Sequence, residues 1–264
     1  MKLGVFIPAH NEEATVGLVL ASIPRHIHPF TEIKVFVIDD GSTDLTAEKA
    51  RSAGAEVVSL KPNRGLAAAY KIGLQTCLDA GVDVLCHIDA DNQYTGKEIT
   101  LITTPIVEGR ADFVTGDRQV EKLEFLGFAR KYGNMAGSCF LRLITGIKIR
   151  DASSGFRAYS RGTAEQIEVY SKHTYTHETL IESFYKGFRL MEVPITFAKR
   201  GAHVPFELKK WFQGTSDLSK PEVLIEDNNV SRLTRNLFKH IYCSFRDILR
   251  AKARYSAFTK KHHK

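Results

Sequence analysis

Between residues 3 and 118 the chain alternates short apolar or β-branched runs with segments of helical spacing. Residues 3–7 and 33–38 read as strands, whereas 12–23, with Val16, Val19, Leu20 and Ile23 on one face, and 43–53 read as helices. The pattern continues with a strand over 56–60, a helix over 65–80 and a strand over 82–88. Repeated βα units of this length predict a Rossmann-like, three-layer α/β/α sandwich with a mostly parallel central sheet. Ligands in such a sheet sit beyond the carboxyl ends of the strands. The residues that follow each run are therefore the place to look for chemistry.

Those residues are acidic and polar. Pro8-Ala9-His10-Asn11-Glu12-Glu13 follows the first run, Asp39-Asp40-Gly41-Ser42-Thr43-Asp44 the second, and Asp89-Ala90-Asp91-Asn92-Gln93-Tyr94 the fourth. Carboxylates gathered on one rim repel one another unless a cation or donor groups compensate, which is the behaviour of a ligand site. An Asp-x-Asp pair at a strand end suits a hard divalent cation held against a diphosphate. Ordinary turn chemistry remains open for Asp40-Gly41-Ser42, and helix capping for Asn11 or Ser42. Capping explains one residue per loop, not the set.

Further on, residues 113–118 form another strand-like run that ends in Asp117 and Arg118, with Arg118 reaching the same rim. A helical stretch over 126–144 carries Arg130 and Asn134 at i, i+4, and Asp151-Ala152-Ser153-Ser154-Gly155-Phe156-Arg157 follows. Arg130 reads either as a surface residue or as a phosphate clamp, since phosphates favour forked arginines.

With 264 residues, 43% of them apolar, the chain can fill one large domain or a domain with an appendage. No run approaches the ~18 apolar residues of a spanning helix, and the start lacks the apolar region of a signal peptide, so a cytoplasmic location is the expectation. Cys77, Cys86, Cys139 and Cys243 are too scattered for a zinc site or disulfide framework and are expected to be small buried hydrophobes. The net charge of +7 belongs to the tail, because residues 199–264 hold 15 Lys or Arg against 6 Asp or Glu. No zinc, stacking or helix-turn-helix pattern accompanies it, which argues against nucleic acid as the partner.

The ordered motifs resemble the family 2 glycosyltransferases of the GT-A fold, in particular the branch of dolichol-phosphate and polyprenol-phosphate mannose or glucose synthases. The likeness rests on the three loops above, Asn63-Arg64-Gly65, Gly116-Asp117-Arg118, the segment from Asp151 to Arg157, and Glu192-Val193-Pro194-Ile195. It implies a GT-A domain over residues 1–200, with a nucleotide-binding half of about 1–118 and an acceptor half of about 119–200, and a basic extension over 201–264. It also implies that Pro8, Ala9, His10, Asn11, Glu12, Ile38 and Asp40 surround the nucleotide, Asp40 against the base edge. Asp89 and Asp91, with Ala90 between them and Gln93 beside them, would then hold Mg²⁺ or Mn²⁺ on the donor diphosphate. Arg118 and Arg130 would clamp phosphates. Glu178 would lie near the donor sugar or acceptor, serving as a base if the acceptor is a hydroxyl and not being needed if it is an ionised phosphate. His177 is the competing base, with a structural role as its alternative.

The chain departs from those synthases after Phe197, although Arg200 fits the arginine that in relatives precedes a segment closing over the phosphates. Gly201-Ala202-His203-Val204-Pro205-Phe206 stands where relatives carry a Gly-x-Ser-Lys segment, with Lys209, Lys210 or Lys220 as substitutes for the missing cation. Val230, Leu233, Leu237, Ile241, Phe245 and Ile248 make a helical stripe flanked by arginines and lysines, a C-terminal amphipathic extension that either lies on an anionic membrane, with Trp211 and Phe212 assisting, or packs on the domain. The expected activity is metal-dependent, inverting transfer of a hexose from GDP-mannose or a UDP-hexose to a polyprenyl or dolichyl phosphate. The alternatives are a saccharide or soluble acceptor, and a catalytically silent nucleotide-binding membrane adaptor.

Overall fold

The computed structural model describes residues 1–171, 175–200, 246 and 248–254. Lys209, Lys210, Trp211, Phe212, Lys220, Cys243 and the stripe positions from Val230 to Phe245 lie outside the described residues.

The predicted alternation is realised as β1 (Lys2–Ala9), α1 (Val16–Ser22), β2 (Glu32–Asp39), α2 (Thr46–Ser52), β3 (Glu56–Ser59), α3 (Leu66–Asp79) and β4 (Val84–His87). After these come α4 (Ile99–Val107), β5 (Phe113–Asp117), α5 (Phe128–Thr145), β6 (Arg157–Ser160), α6 (Arg161–Ala164), α7 (Thr176–Tyr185) and β7 (Leu190–Pro194). The described strands form one mixed sheet in the order β3-β2-β1-β4-β6-β5-β7. β6 runs antiparallel to β4 and β5, and every other pairing is parallel.

A strand buried on both faces needs apolar side chains on both, and β1 supplies them. Leu3, Val5 and Ile7 join one core with Val16 and Val19 of α1, while Phe6 enters the core on the other face with Tyr70 and Leu74 of α3. The approach of α3 is close enough that a Cβ on Gly73 would stand 2.4 Å from the Phe6 ring, so only glycine fits there.

Helices α1 and α2 begin later than periodicity alone predicts. The preceding residues are spent on links between loops: Glu12 N–H donates to Thr46 Oγ1 at 2.7 Å and Asn11 N–H to Ser42 Oγ at 3.0 Å. The stripe residue Ile248 is fully buried in the core that contains Leu141 and Leu180, and Ala251 joins it, so the described part of the extension packs on the domain. Cys77 and Cys86 are buried as expected, but Cys139 is exposed on α5. Among the described residues, no helix is long and apolar enough to cross a membrane.

Candidate active site

The sheet order creates the site. From β1 the chain winds outward through β2 and β3, then returns to lay β4 on the other side of β1, so β1 and β4 flank the point where the order reverses. Such a switch point opens a crevice at the carboxyl ends. The first loop and the Asp89-Ala90-Asp91 loop border it. Because β6 is antiparallel, its start lies at the same rim, with Arg157 opposite His87 in register.

Polar links fasten the first two loops together. His10 Nδ1 lies 2.9 Å from the Asp40 carbonyl and 3.1 Å from Asn63 Nδ2. Asn11 adopts φ 53°, a left-handed conformation that asparagine tolerates, and its Oδ1 accepts from Thr43 N–H at 2.9 Å. Asp40 departs from expectation. Its carboxylate accepts from the Arg64 and Gly65 N–H groups at 2.7 and 2.8 Å, which ties down the turn into α3 instead of facing a base. Ile38, Ala9 and Ala90 place their side chains in the core clusters, and Pro8 is buried beside them, which leaves their backbone to border the crevice.

Asp89 and Asp91 do stand together at the rim, each half-buried. Burial raises the carboxyl of Asp89; Arg118 and Arg157 counteract this and Glu12 adds to it. Asp91 is raised by burial, then by Asp89 and Glu12, while the Gln93 N–H and Arg200 oppose the shift. Two crowded carboxylates pushed upward in this way fit a hard divalent cation, which would remove their mutual repulsion. No third His, Cys, Asp or Glu completes a metal cluster among the described residues. Gln93 is drawn aside, its Nε2 donating to the Ala198 carbonyl at 2.9 Å, which anchors the chain leading to Arg200.

Three residues to which the sequence alone assigned no role support Asp89. A Cβ on Gly155 would fall 2.5 Å from Asp89 Oδ2, so the glycine makes room for the carboxylate. His87 is fully buried; its Nδ1 faces the Gly155 carbonyl and its Nε2 lies 3.7 Å from Asp89 Oδ1. Burial lowers its pKa to about 3, with Arg157 adding to the effect, so the ring is neutral. Arg157 is wholly buried and spends its guanidinium on the Ser154 carbonyl (2.7 Å), the Ala152 carbonyl (2.9 Å), the Thr176 carbonyl (2.8 Å) and Thr179 Oγ1 (2.7 Å). The available signals were a histidine at the end of an apolar run and an arginine opening a strand.

The predicted cations separate. Arg118 reaches the rim but forks onto Asp151, Nε to Oδ2 at 2.6 Å and Nη2 to Oδ1 at 2.8 Å, with Ser153 Oγ at 2.7 Å, so its expected phosphate contact is already taken by a carboxylate. Arg130 is exposed on the first turn of α5. Arg200 meets Glu12 across the crevice as an ion pair, the arginine exposed and the glutamate largely covered.

Glu178 is engaged within the fold. It is buried in α7, with Oε2 accepting from the Tyr170 and Ser171 N–H groups at 3.0 and 2.9 Å and Oε1 from Arg254 at 2.8 Å. Arg254 also lies 3.8 Å from the centroid of the Tyr170 ring. A carboxylate engaged at both oxygens is a latch for the C-terminal helix rather than a base waiting for a hydroxyl. His177 is buried in the same helix.

Comparison with known proteins agrees with this architecture. The glycosyl transferase family 2 model matches residues 4–168. An undecaprenyl-phosphate mannosyltransferase of Micrococcus luteus is 30% identical over 211 residues, covering 76% of this chain and 85% of its own length. A dolichyl-phosphate hexose transferase of Haloferax volcanii is 30% identical over 206 residues, covering 78% and 86%. Glucosyl-3-phosphoglycerate synthase of Mycobacterium tuberculosis, solved with Mn²⁺, UDP and glucosyl-3-phosphoglycerate, shares the fold with a TM-score of 0.59 at 22% identity, over 79% of this chain and 75% of that one. Motif order, sheet topology and matched length together make the chain a member of glycosyl transferase family 2.

Proposed function

We propose that this glycosyltransferase moves a hexose from a nucleotide-sugar donor to a polyprenyl-type phosphate, with inversion at the sugar carbon. The observation that carries the reading is the Asp89 and Asp91 pair at the switch point, crowded enough to want a dication, in a chain whose relatives in Micrococcus luteus and Haloferax volcanii are named for lipid-phosphate acceptors. Asp89 and Asp91 would hold Mg²⁺ or Mn²⁺, and the bound ion would stabilise the charge of the departing nucleoside diphosphate.

The other residues take roles that follow from their partners. Glu12 and Arg200 face each other across the crevice, and because the guanidinium is solvent-exposed an arriving diphosphate can compete for it. Arg118, held rigid by Asp151, supplies fixed positive potential beside Asp89 rather than a mobile clamp. An ionised phosphate acceptor needs positioning and no base, which is consistent with the engagement of Glu178.

The test is transfer from GDP-mannose, UDP-glucose and UDP-N-acetylglucosamine to a polyprenyl phosphate, with and without Mn²⁺. Metal-dependent formation of a lipid-linked sugar is expected from one donor. If no sugar nucleotide turns over while nucleotide still binds, the chain is the silent adaptor instead; turnover only onto saccharides moves the acceptor class.

A further inference from the structure

Helix α5 turns an apolar side to the solvent. Phe128, Tyr132, Met135, Cys139 and Leu143 follow the spacing i, i+4, i+7, i+11 and i+15, a single stripe of a 3.6-residue helix. Phe128 is 76% exposed, Tyr132 50%, Met135 39% and Leu143 79%, and Cys139 is exposed among them. The opposite side carries Gly137, Ser138 and Leu141 inward. A surface helix ordinarily has the reverse arrangement, and a continuous apolar stripe marks an interaction site.

Two further features say what the stripe meets. It begins at the rim: Phe125, itself exposed, stacks on Phe197 with 6.3 Å between ring centroids, and the Arg118 guanidinium lies 5.1 Å from the Phe197 centroid. Its charge is of one sign, because α5 carries Arg130, Lys131 and Arg142 and no acidic residue. Lys131 and Arg142 border the stripe along its Met135 edge, at i−4 and i+7 from that residue.

We propose that α5 is the face by which this protein lies against a bilayer containing anionic lipid, bringing the acidic rim to the level of the phosphate head groups. This rests on the lipid-phosphate reading above, since an acceptor whose tail stays in hydrocarbon must be met at the interface. Charge favours the bilayer over the other occupants. A second copy of α5 would bring like cations together, and residues 199–264, with 15 Lys or Arg against 6 acids, would do the same. Phenylalanine and tyrosine rings flanked by cations are what a membrane interface accepts.

The test uses the full chain carrying Cys243→Ser, in which Cys139 is the exposed thiol because Cys77 and Cys86 are buried. Cys139 is labelled with an environment-sensitive dye, and the protein is mixed with sucrose-loaded vesicles of phosphatidylcholine alone or with phosphatidylglycerol at about 2:1. A blue shift and sedimentation are expected on the mixed vesicles. A variant combining Phe128→Ser, Tyr132→Ser and Leu143→Ser should keep its melting temperature and lose at least about tenfold in vesicle partition. It should also retain transfer to a short, water-soluble isoprenyl phosphate while losing transfer to a long-chain acceptor in vesicles.

The proposal is overturned if the unaltered protein stays in the supernatant, or if it sediments while the dye reports water, which places the contact on another surface. It is equally overturned if the serine variant converts a dimer to a monomer in sedimentation velocity, which makes the stripe a contact between copies. A protein that docks through Cys139 yet transfers to neither acceptor upholds the surface and removes the lipid-phosphate reading.

Discussion

Gly155 shows how much of the metal-binding rim depends on a residue with no side chain. Its hydrogen occupies the place where a methyl would press on Asp89 Oδ2, so Gly155→Ala must move the carboxylate or the turn. Such displacements around a ligand cost metal affinity, and a fall of about 10- to 100-fold in Mn²⁺ binding is expected by paramagnetic titration. Asp91→Asn should abolish metal-dependent turnover and leave the fold intact, because it relieves a carboxyl that burial already disfavours. Circular dichroism melting together with Mn²⁺ titration checks both halves of that statement, and retained turnover would move the metal elsewhere. Glu178→Ala predicts the opposite profile: a stability loss of about 1–3 kcal/mol from orphaned donors, with turnover of a phosphate acceptor preserved below the melting transition. A folded, stable but inactive Glu178→Ala would restore the general-base role.

At the scale of elements, the sequence was most readable where periodicity speaks. β1, β2, α3 and β4 lie close to where apolar spacing puts them, because a strand buried on both faces and a helix packed on one side leave different patterns. Pairings over long separations leave no such trace. Nothing local distinguishes an arginine that clamps phosphate from one that forks onto a carboxylate 33 residues away, as Arg118 does with Asp151. The partners of Asp40 were hidden for the same reason, since they arrive from the turn before α3. The Arg118 pair also carries a pH signature. Burial alone would raise Asp151, but Arg118 outweighs it and holds the carboxyl below its ordinary value. A depressed carboxyl contributes stability above its unfolded value of about 3.9, and that contribution is lost as pH falls through the folded value. Asp151→Asn should therefore cost about 3–5 kcal/mol at pH 7, by stranding a buried guanidinium, and the gap to the native chain should narrow in melts taken in increasingly acid buffer.

For the molecule as a whole, the described end of the extension belongs to the fold. Ile248 and Ala251 sit in the same core as Tyr70, Leu141 and Tyr175, and Arg254 reaches Glu178. Ile248→Ala should destabilise the protein by about 2–5 kcal/mol in chemical denaturation, whereas no loss at all would mean the helix is dispensable. The stripe that suggested membrane contact from sequence thus contributes at least one residue to the interior, and among the described residues α5 carries an exposed apolar stripe of its own.

The antiparallel insertion of β6 has a consequence for dissection of the protein. β5 pairs with β6 and β7, and β4 takes β6 on its outer side, so a nucleotide-binding half cut after residue 118 would leave one strand with no neighbour and another with a naked edge. Bare edges recruit strands from other molecules. Expressed alone, residues 1–118 should form aggregates, and co-expression with 119–264 should return soluble material, since the two halves share a single hydrogen-bonded ladder rather than a hinge.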